Sequence, residues 1–127
     1  MTPTTHIDIN IAELNKLIAH PINESIVMLN FLKFKEKVEN DIVSGEVVYK
    51  EYMKKAYPFF QKASAEILFF GRPQQMLIGP QDEMLWDKVL VVKYASATDF
   101  IDMIQADGYP SKLREKGLQD SRLISCS

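Results

Sequence analysis

Asn30 is the polar residue of this chain with the most to explain. It stands inside the apolar run Ile26-Val27-Met28-Leu29-Asn30-Phe31-Leu32-Lys33-Phe34. A buried amide must find hydrogen-bond partners or cost about 1–3 kcal/mol per unsatisfied group, and structural networks supply those partners more often than ligands do. Tyr52 lies at helical spacing from other apolar residues and combines an apolar body with a polar tip. With Trp86 as an apolar wall and Arg72 as a partner for an anion, these residues could converge on one space between a helix and a sheet. The chemistry open to such a set is hydrogen bonding to a compact, partly aromatic or anionic metabolite. A reaction there would be proton transfer or cofactor-free oxidation, with Tyr52 or Asp87 assisting.

The plainer readings of the same residues stand beside these. Asp87 follows Trp86 at the entrance to an apolar strand, where a carboxylate can fix a backbone amide or a nearby indole. Asp82 and Glu83 read as a solvated turn, and Arg72, next to Pro73, as an ordinary surface arginine. Tyr49 and Tyr57 align less well than Tyr52 with the apolar helix face. The stretch from Met76 to Ile78, and Met84, read as core or dimer contacts.

Other chemistries lack their residues. His6 and His20 lie near the N-terminus and the single cysteine, Cys126, at the far end, so no zinc-ligand spacing is present. Neither Gly-x-Ser-x-Gly, nor Gly-x-Gly-x-x-Gly, nor a Walker-type loop occurs, so no nucleophile elbow, nucleotide loop or cofactor is expected. Cys126 reads as a small buried hydrophobe at a strand end. A net charge of −2, with no basic stripe interleaved with aromatics, argues against a nucleic-acid partner. No apolar stretch is long enough to span a bilayer. The first residues lack a basic region followed by an apolar core, which makes a cytoplasmic location the expectation.

At 127 residues, 46% of them hydrophobic, the chain predicts one core. Asn10 and Glu13 form a capping pattern for a helix over residues 11–19, giving a helical extension over 1–22 ahead of a single domain over 23–127. A strand over 26–35 places Val27, Leu29, Phe31 and Lys33 on one face and Met28, Asn30, Leu32 and Phe34 on the other. Residues 36–44 read as an exposed loop. A helix over 45–63 sets Val48, Tyr52, Lys55-Ala56, Phe59 and Ala63 on one side, kinked or broken at Pro58. A strand over 66–70 follows, with extended character resuming over 75–78. The third main strand covers 86–94. Ser96 and Asp99 cap the next helix, a short helix over 111–116 ends at Gly117 as C-cap, and the last strand covers 121–126.

Two β-α-β units with right-handed crossovers put both major helices on one face of an antiparallel sheet. This is an α+β, ferredoxin-like βαββαβ sandwich with an extra N-terminal helix. Its other face carries apolar side chains without cover. A homodimer formed through sheet-to-sheet packing would bury them and close an α/β barrel.

The chain also resembles a known family. Met28-Leu29-Asn30-Phe31-Leu32-Lys33-Phe34, Tyr49, Tyr52, Leu77-Ile78-Gly79, Trp86-Asp87-Lys88-Val89, Val92-Lys93-Tyr94-Ala95-Ser96, Phe100, Met103, Tyr109 and Asp120-Ser121-Arg122-Leu123-Ile124 are similar to the uncharacterised family labelled domain of unknown function thirteen-thirty. That family belongs to the dimeric α/β-barrel superfamily. The resemblance implies a ferredoxin-like subunit and a dimer with facing sheets, but no settled reaction. The superfamily includes cofactor-independent monooxygenases, lactone isomerases and haem-dependent enzymes, so it does not fix function. The resemblance marks Asn30, Tyr52, Trp86 and Asp87 as recurrent positions. Leu113 stands before Arg114 where relatives often carry a histidine, which weighs against histidine-based acid–base catalysis or histidine-ligated haem there.

Two functions remain open. One is a small-molecule site, catalytic or not, between sheet and helices. The other is a non-catalytic homodimeric binding or interaction module. A cavity beside Asn30 and Tyr52 favours the first; a fully packed space favours the second.

Overall fold

The apolar run that contains Asn30 becomes strand β1 (Ile26–Phe34) in the computed structural model, which describes residues 5–21, 23–38 and 43–127. Its side chains alternate strictly. Ile26, Met28, Asn30, Leu32 and Phe34 are buried, whereas Val27, Leu29, Phe31 and Lys33 are half-buried. β1 pairs antiparallel with β3 (Lys88–Tyr94) on one side and with β4 (Leu118–Cys126) on the other. The edge strand β2 (Glu66–Gly71) pairs with β3, giving an antiparallel sheet of order β2-β3-β1-β4. The register sets Asn30 opposite Leu90 and Leu123.

Capping side chains start the helices where the sequence places them. Asn10 accepts the Glu13 amide ahead of α1 (Ile11–Ile18), and Ser44 accepts the Val47 amide ahead of α2 (Gly45–Lys62). Ser96 accepts the Asp99 amide ahead of α3 (Ala97–Gln105). The buried residues of α2 are Gly45, Val48, Tyr49, Tyr52, Ala56 and Phe60, a stripe of three- and four-residue steps. That stripe faces the buried side of the sheet. α2 also packs against α4 (Ser111–Gly117), α3 lies on β3, and α1 touches α3. The result is an α+β sandwich with four helices among the described residues.

Met28, Leu32, Phe34, Leu90, Val92 and Tyr94 from the sheet meet Tyr49, Tyr52, Ala56, Phe60, Phe100 and Met103 from the helices in one core. Each large apolar side chain buried there contributes about 1.5–3 kcal/mol. Two glycines set how closely the elements approach. The Gly45 amide donates to the Lys35 carbonyl at 2.7 Å, and the Lys35 amide donates to the Gly117 carbonyl at 3.0 Å. A Cβ on Gly117 would stand 2.6 Å from the Gly45 carbonyl oxygen.

α2 runs unbroken through Pro58; Lys54 and Pro58 are both exposed, so the carbonyl that loses its donor can bond water. Tyr49 is buried at 2% exposure rather than misaligned, and Phe60 is more deeply buried than Phe59. No strand forms over 75–78: Leu77 and Ile78 sit in a bend, 82% and 95% exposed. Met84 is exposed as well. The β3 ladder begins at Lys88 rather than at Trp86. β4 starts at Leu118, directly after α4, so Gly117 is the last helical residue and not the cap. Within the expected exposed loop, Val38 is buried and bridges Val43, while positions 39–42 lie outside the described residues.

The second face of the sheet carries Val27, Leu29, Phe31, Val89 and Val91, half-buried, and the more exposed Phe69 and Ile124. No described helix packs on that face. Among the described residues, no helix is long and apolar enough to cross a membrane.

Candidate functional site

Between the buried sheet face and the helices lies a cavity of about 960 Å³, at the upper end of the roughly 300–1,000 Å³ typical of small-molecule sites. β1 and β3 supply Asn30, Leu90 and Val92; α2 supplies Tyr49, Tyr52 and Phe60. Phe100 and Met103 of α3, Tyr109, and Arg114 of α4 close further sides, and the N-terminal segment with α1 forms the remaining wall. That wall is anchored to β4. The His6 amide donates to Asp120 at 2.8 Å, and the His6 carbonyl accepts from the Ser121 amide at 2.9 Å and the Ser121 hydroxyl at 2.8 Å. Burial alone would raise the Asp120 carboxyl. Hydrogen bonds from the His6 amide, Arg122 and the Ser121 amide outweigh it and hold the group below the usual carboxylate range.

Asn30 is 8% exposed, and its Nδ2 donates to the Leu90 carbonyl at 3.2 Å. The Oδ1 atom has no partner among the described residues. No fully buried side-chain polar atom among them lacks a partner either, so this oxygen keeps some exposed surface. One half of the amide therefore serves the sheet, and the other half is an acceptor without a partner among the described residues.

The phenols form the second polar feature. The Tyr52 hydroxyl hydrogen-bonds to that of Tyr109, and the two rings meet edge to face at 6.1 Å between centroids. Tyr49 packs on Tyr52 at 5.1 Å and on Phe34 at 5.4 Å. Burial pushes the Tyr49 phenol up to about 12 even though Arg114 beside it pulls the other way through its charge and a hydrogen bond. Burial raises Tyr52, Tyr94 and Tyr109 as well, Tyr52 further through the nearby Tyr109 and Tyr49. All four stay protonated at neutral pH and are not bases; within the Tyr52–Tyr109 bond one hydroxyl donates and the other accepts, which leaves one proton of that pair for a further acceptor. Such an array can hold an anion or a carbonyl oxygen and can stabilise charge developing on it.

The structure brings Asn30 and Tyr52 to this cavity and places the other expected residues elsewhere. Trp86 lies on the opposite face of the sheet, because it packs on Phe31, an outward residue of β1, at 6.1 Å. The Arg122 guanidinium sits 5.2 Å from its ring centroid. Arg72 follows the edge strand and reaches the start of α2, where two hydrogen bonds of 2.9 and 3.1 Å pair it with Glu46. The Asp87 carboxylate accepts the Phe34 amide at 2.8 Å and the Lys33 ammonium at 3.2 Å. Its own amide donates to the Leu32 carbonyl at 2.8 Å. Asp87 thus clamps β1 to the entrance of β3.

Tyr94, Tyr109 and Arg114 are polar residues of the cavity to which the sequence assigns no site role, and Tyr49 is one whose alignment with the helix face is underestimated. Tyr49 continues the stripe set by Gly45 and Tyr52, and Tyr94 shares the parity of Leu90 and Val92, so both carried a signal. Arg114 depends on how α4 packs against α2, which no local pattern reveals. Among the described residues, no group of three or more His, Cys, Asp or Glu side chains could hold a metal ion.

No family model and no curated protein matches the chain. Among solved structures, RPA0582, a protein of unknown function from Rhodopseudomonas palustris, is 31% identical over 97% of this chain and 96% of its own, with a TM-score of 0.83. Its methylated form is 29% identical over 98% of this chain and 96% of its own, again with a TM-score of 0.83. A dimeric protein of unknown function and ferredoxin-like fold from Bacteroides fragilis is 11% identical over 84% of this chain and 99% of its own, with a TM-score of 0.53. That last likeness concerns the fold alone.

Proposed function

Since this chain belongs to the same family as RPA0582 of Rhodopseudomonas palustris, we propose that it binds a small, largely apolar metabolite in the cavity between sheet and helices. The observation that carries the reading is the convergence of Asn30 and Tyr52 on about 960 Å³ of space. A packed interior would have favoured a purely structural or interaction role. Asn30 offers a free acceptor, the phenols offer donors, and the sheet floor excludes water from the apolar part of a ligand. If a reaction follows binding, these groups suit stabilisation of an oxyanion rather than proton abstraction, because the phenols hold their protons.

We place the chain further in the family labelled domain of unknown function thirteen-thirty, on the motifs quoted above. We also propose the homodimer with sheet-to-sheet packing and a closed barrel. The half-buried apolar row on the open face supports it, since monomers rarely leave such a patch in water.

A thermal-shift screen of a metabolite library against the wild type, Asn30→Ala and Tyr52→Phe tests the cavity. A ligand at about 100 times its Kd adds about 2.7 kcal/mol of stability, enough to move the melting temperature by several degrees. The expected result is a shift in the wild type that is lost in both variants while each still unfolds cooperatively. Equal shifts in all three proteins would contradict the proposal.

A further inference from the structure

We propose that the ligand of this cavity is a monocarboxylate whose charged end sits on Arg114; this rests on the cavity being a ligand site. Arg114 lines the cavity from α4 and influences the phenols of Tyr49, Tyr52, Tyr94 and Tyr109. A guanidinium is always charged, and this one is half-buried beside the Tyr49 phenol, in no ion pair among the described residues.

The other charged groups along the cavity are already matched or stand at its exposed edge. Lys16 pairs with Glu13 at 2.7 Å, and Arg122 pairs with Asp120 at 2.7 Å. His20 has Glu24 at 4.0 Å. Asp8 and Glu115 are exposed residues, and no ion pair among the described residues includes Arg114. A charge desolvated without a counter-charge is costly, so an anion entering the cavity is favoured at this point.

The number of charges follows from the same inventory. One guanidinium without a counter-charge among the described residues matches one negative charge, and its planar fork fits the two oxygens of a carboxylate. Protonated phenols beside it can donate to those oxygens as well. A phosphate dianion would call for a second cation or a glycine-rich loop of backbone amides, and the chain contains no such loop. The remaining walls, Phe60, Leu90, Val92, Phe100 and Met103, suit an apolar body attached to that carboxylate.

Calorimetric titration of a naphthalene carboxylate and of its uncharged carboxamide against the wild type, Arg114→Gln and Arg114→Lys tests this. In the wild type the carboxylate should bind at least about tenfold more tightly than the amide, the scale expected for hydrogen bonds to a charged group. Arg114→Gln should abolish that preference while still binding the amide, and Arg114→Lys should restore part of it. Equal affinities in the wild type, or an undiminished preference in Arg114→Gln, would overturn the charge assignment and leave the ligand site standing. Binding of neither compound to the wild type would overturn both.

Discussion

The hydroxyl of Tyr52 meets the hydroxyl of Tyr109 in a hydrogen bond that ties α2 to the segment ahead of α4. The bond lies at the cavity wall, so it positions the donors as well as stabilising the fold. Tyr52→Phe should cost about 1–2 kcal/mol, because a buried hydroxyl loses its partner. The same loss should follow from Tyr109→Phe. The double variant should cost clearly less than the sum, with a coupling of about 0.5–1.5 kcal/mol. Urea denaturation of the four proteins measures it.

Burial of the phenols makes the protein sensitive to alkali. A group whose pKa is higher folded than unfolded contributes stability that is complete below the unfolded value and lost as pH rises through the folded one. For Tyr49 that window runs from its ordinary value of 10.0 to about 12, and the raised Tyr52, Tyr94 and Tyr109 add to the same trend. Urea midpoints should therefore fall steeply above pH 10.0. Tyr49→Phe should flatten that fall, and an unchanged slope would contradict the assignment.

Gly45 and Gly117 show where packing leaves no room for a side chain. A methyl group on Gly45 would collide with the Gly117 carbonyl oxygen and with the Lys35 backbone. These are main-chain atoms already held by hydrogen bonds, so they cannot move aside cheaply. Gly45→Ala should destabilise the protein by about 1–3 kcal/mol or more, although alanine is the better helix former. Thermal or urea unfolding checks the sign.

The open sheet face carries the proposed dimer. Leu29 lies at its centre, between Val91 and Ile124 in the ladder, and is half-buried. Light scattering at micromolar concentration should give a dimer for the wild type. Leu29→Asp should give a folded monomer, since a carboxylate in the facing layer would be buried without a partner. A wild-type monomer would contradict the dimer.

The fold was legible where residue parity and capping decide it. The alternation around Asn30, the caps at Asn10 and Ser96, and the apolar strands each fix their own neighbourhood, and together they select one antiparallel sheet. The candidate site was legible only in part. Asn30 and Tyr52 announce themselves as a polar group within a buried strand and a polar tip on a buried helix face. Trp86 precedes the β3 ladder, where strand parity no longer says which face a side chain takes. Arg72 pairs with Glu46 across 26 positions of sequence, and Arg114 reaches the phenols through helix packing. Both relationships are tertiary, and no local spacing encodes them.

The most direct test of the cavity as a ligand site is a crystal soaked with para-iodobenzoate, read by the anomalous signal of iodine. The account predicts a peak inside the cavity beside Asn30 and Tyr52, with the carboxylate towards Arg114. Well-ordered crystals with iodine only on the open sheet face, or with the space beside Asn30 filled by protein side chains, would contradict it.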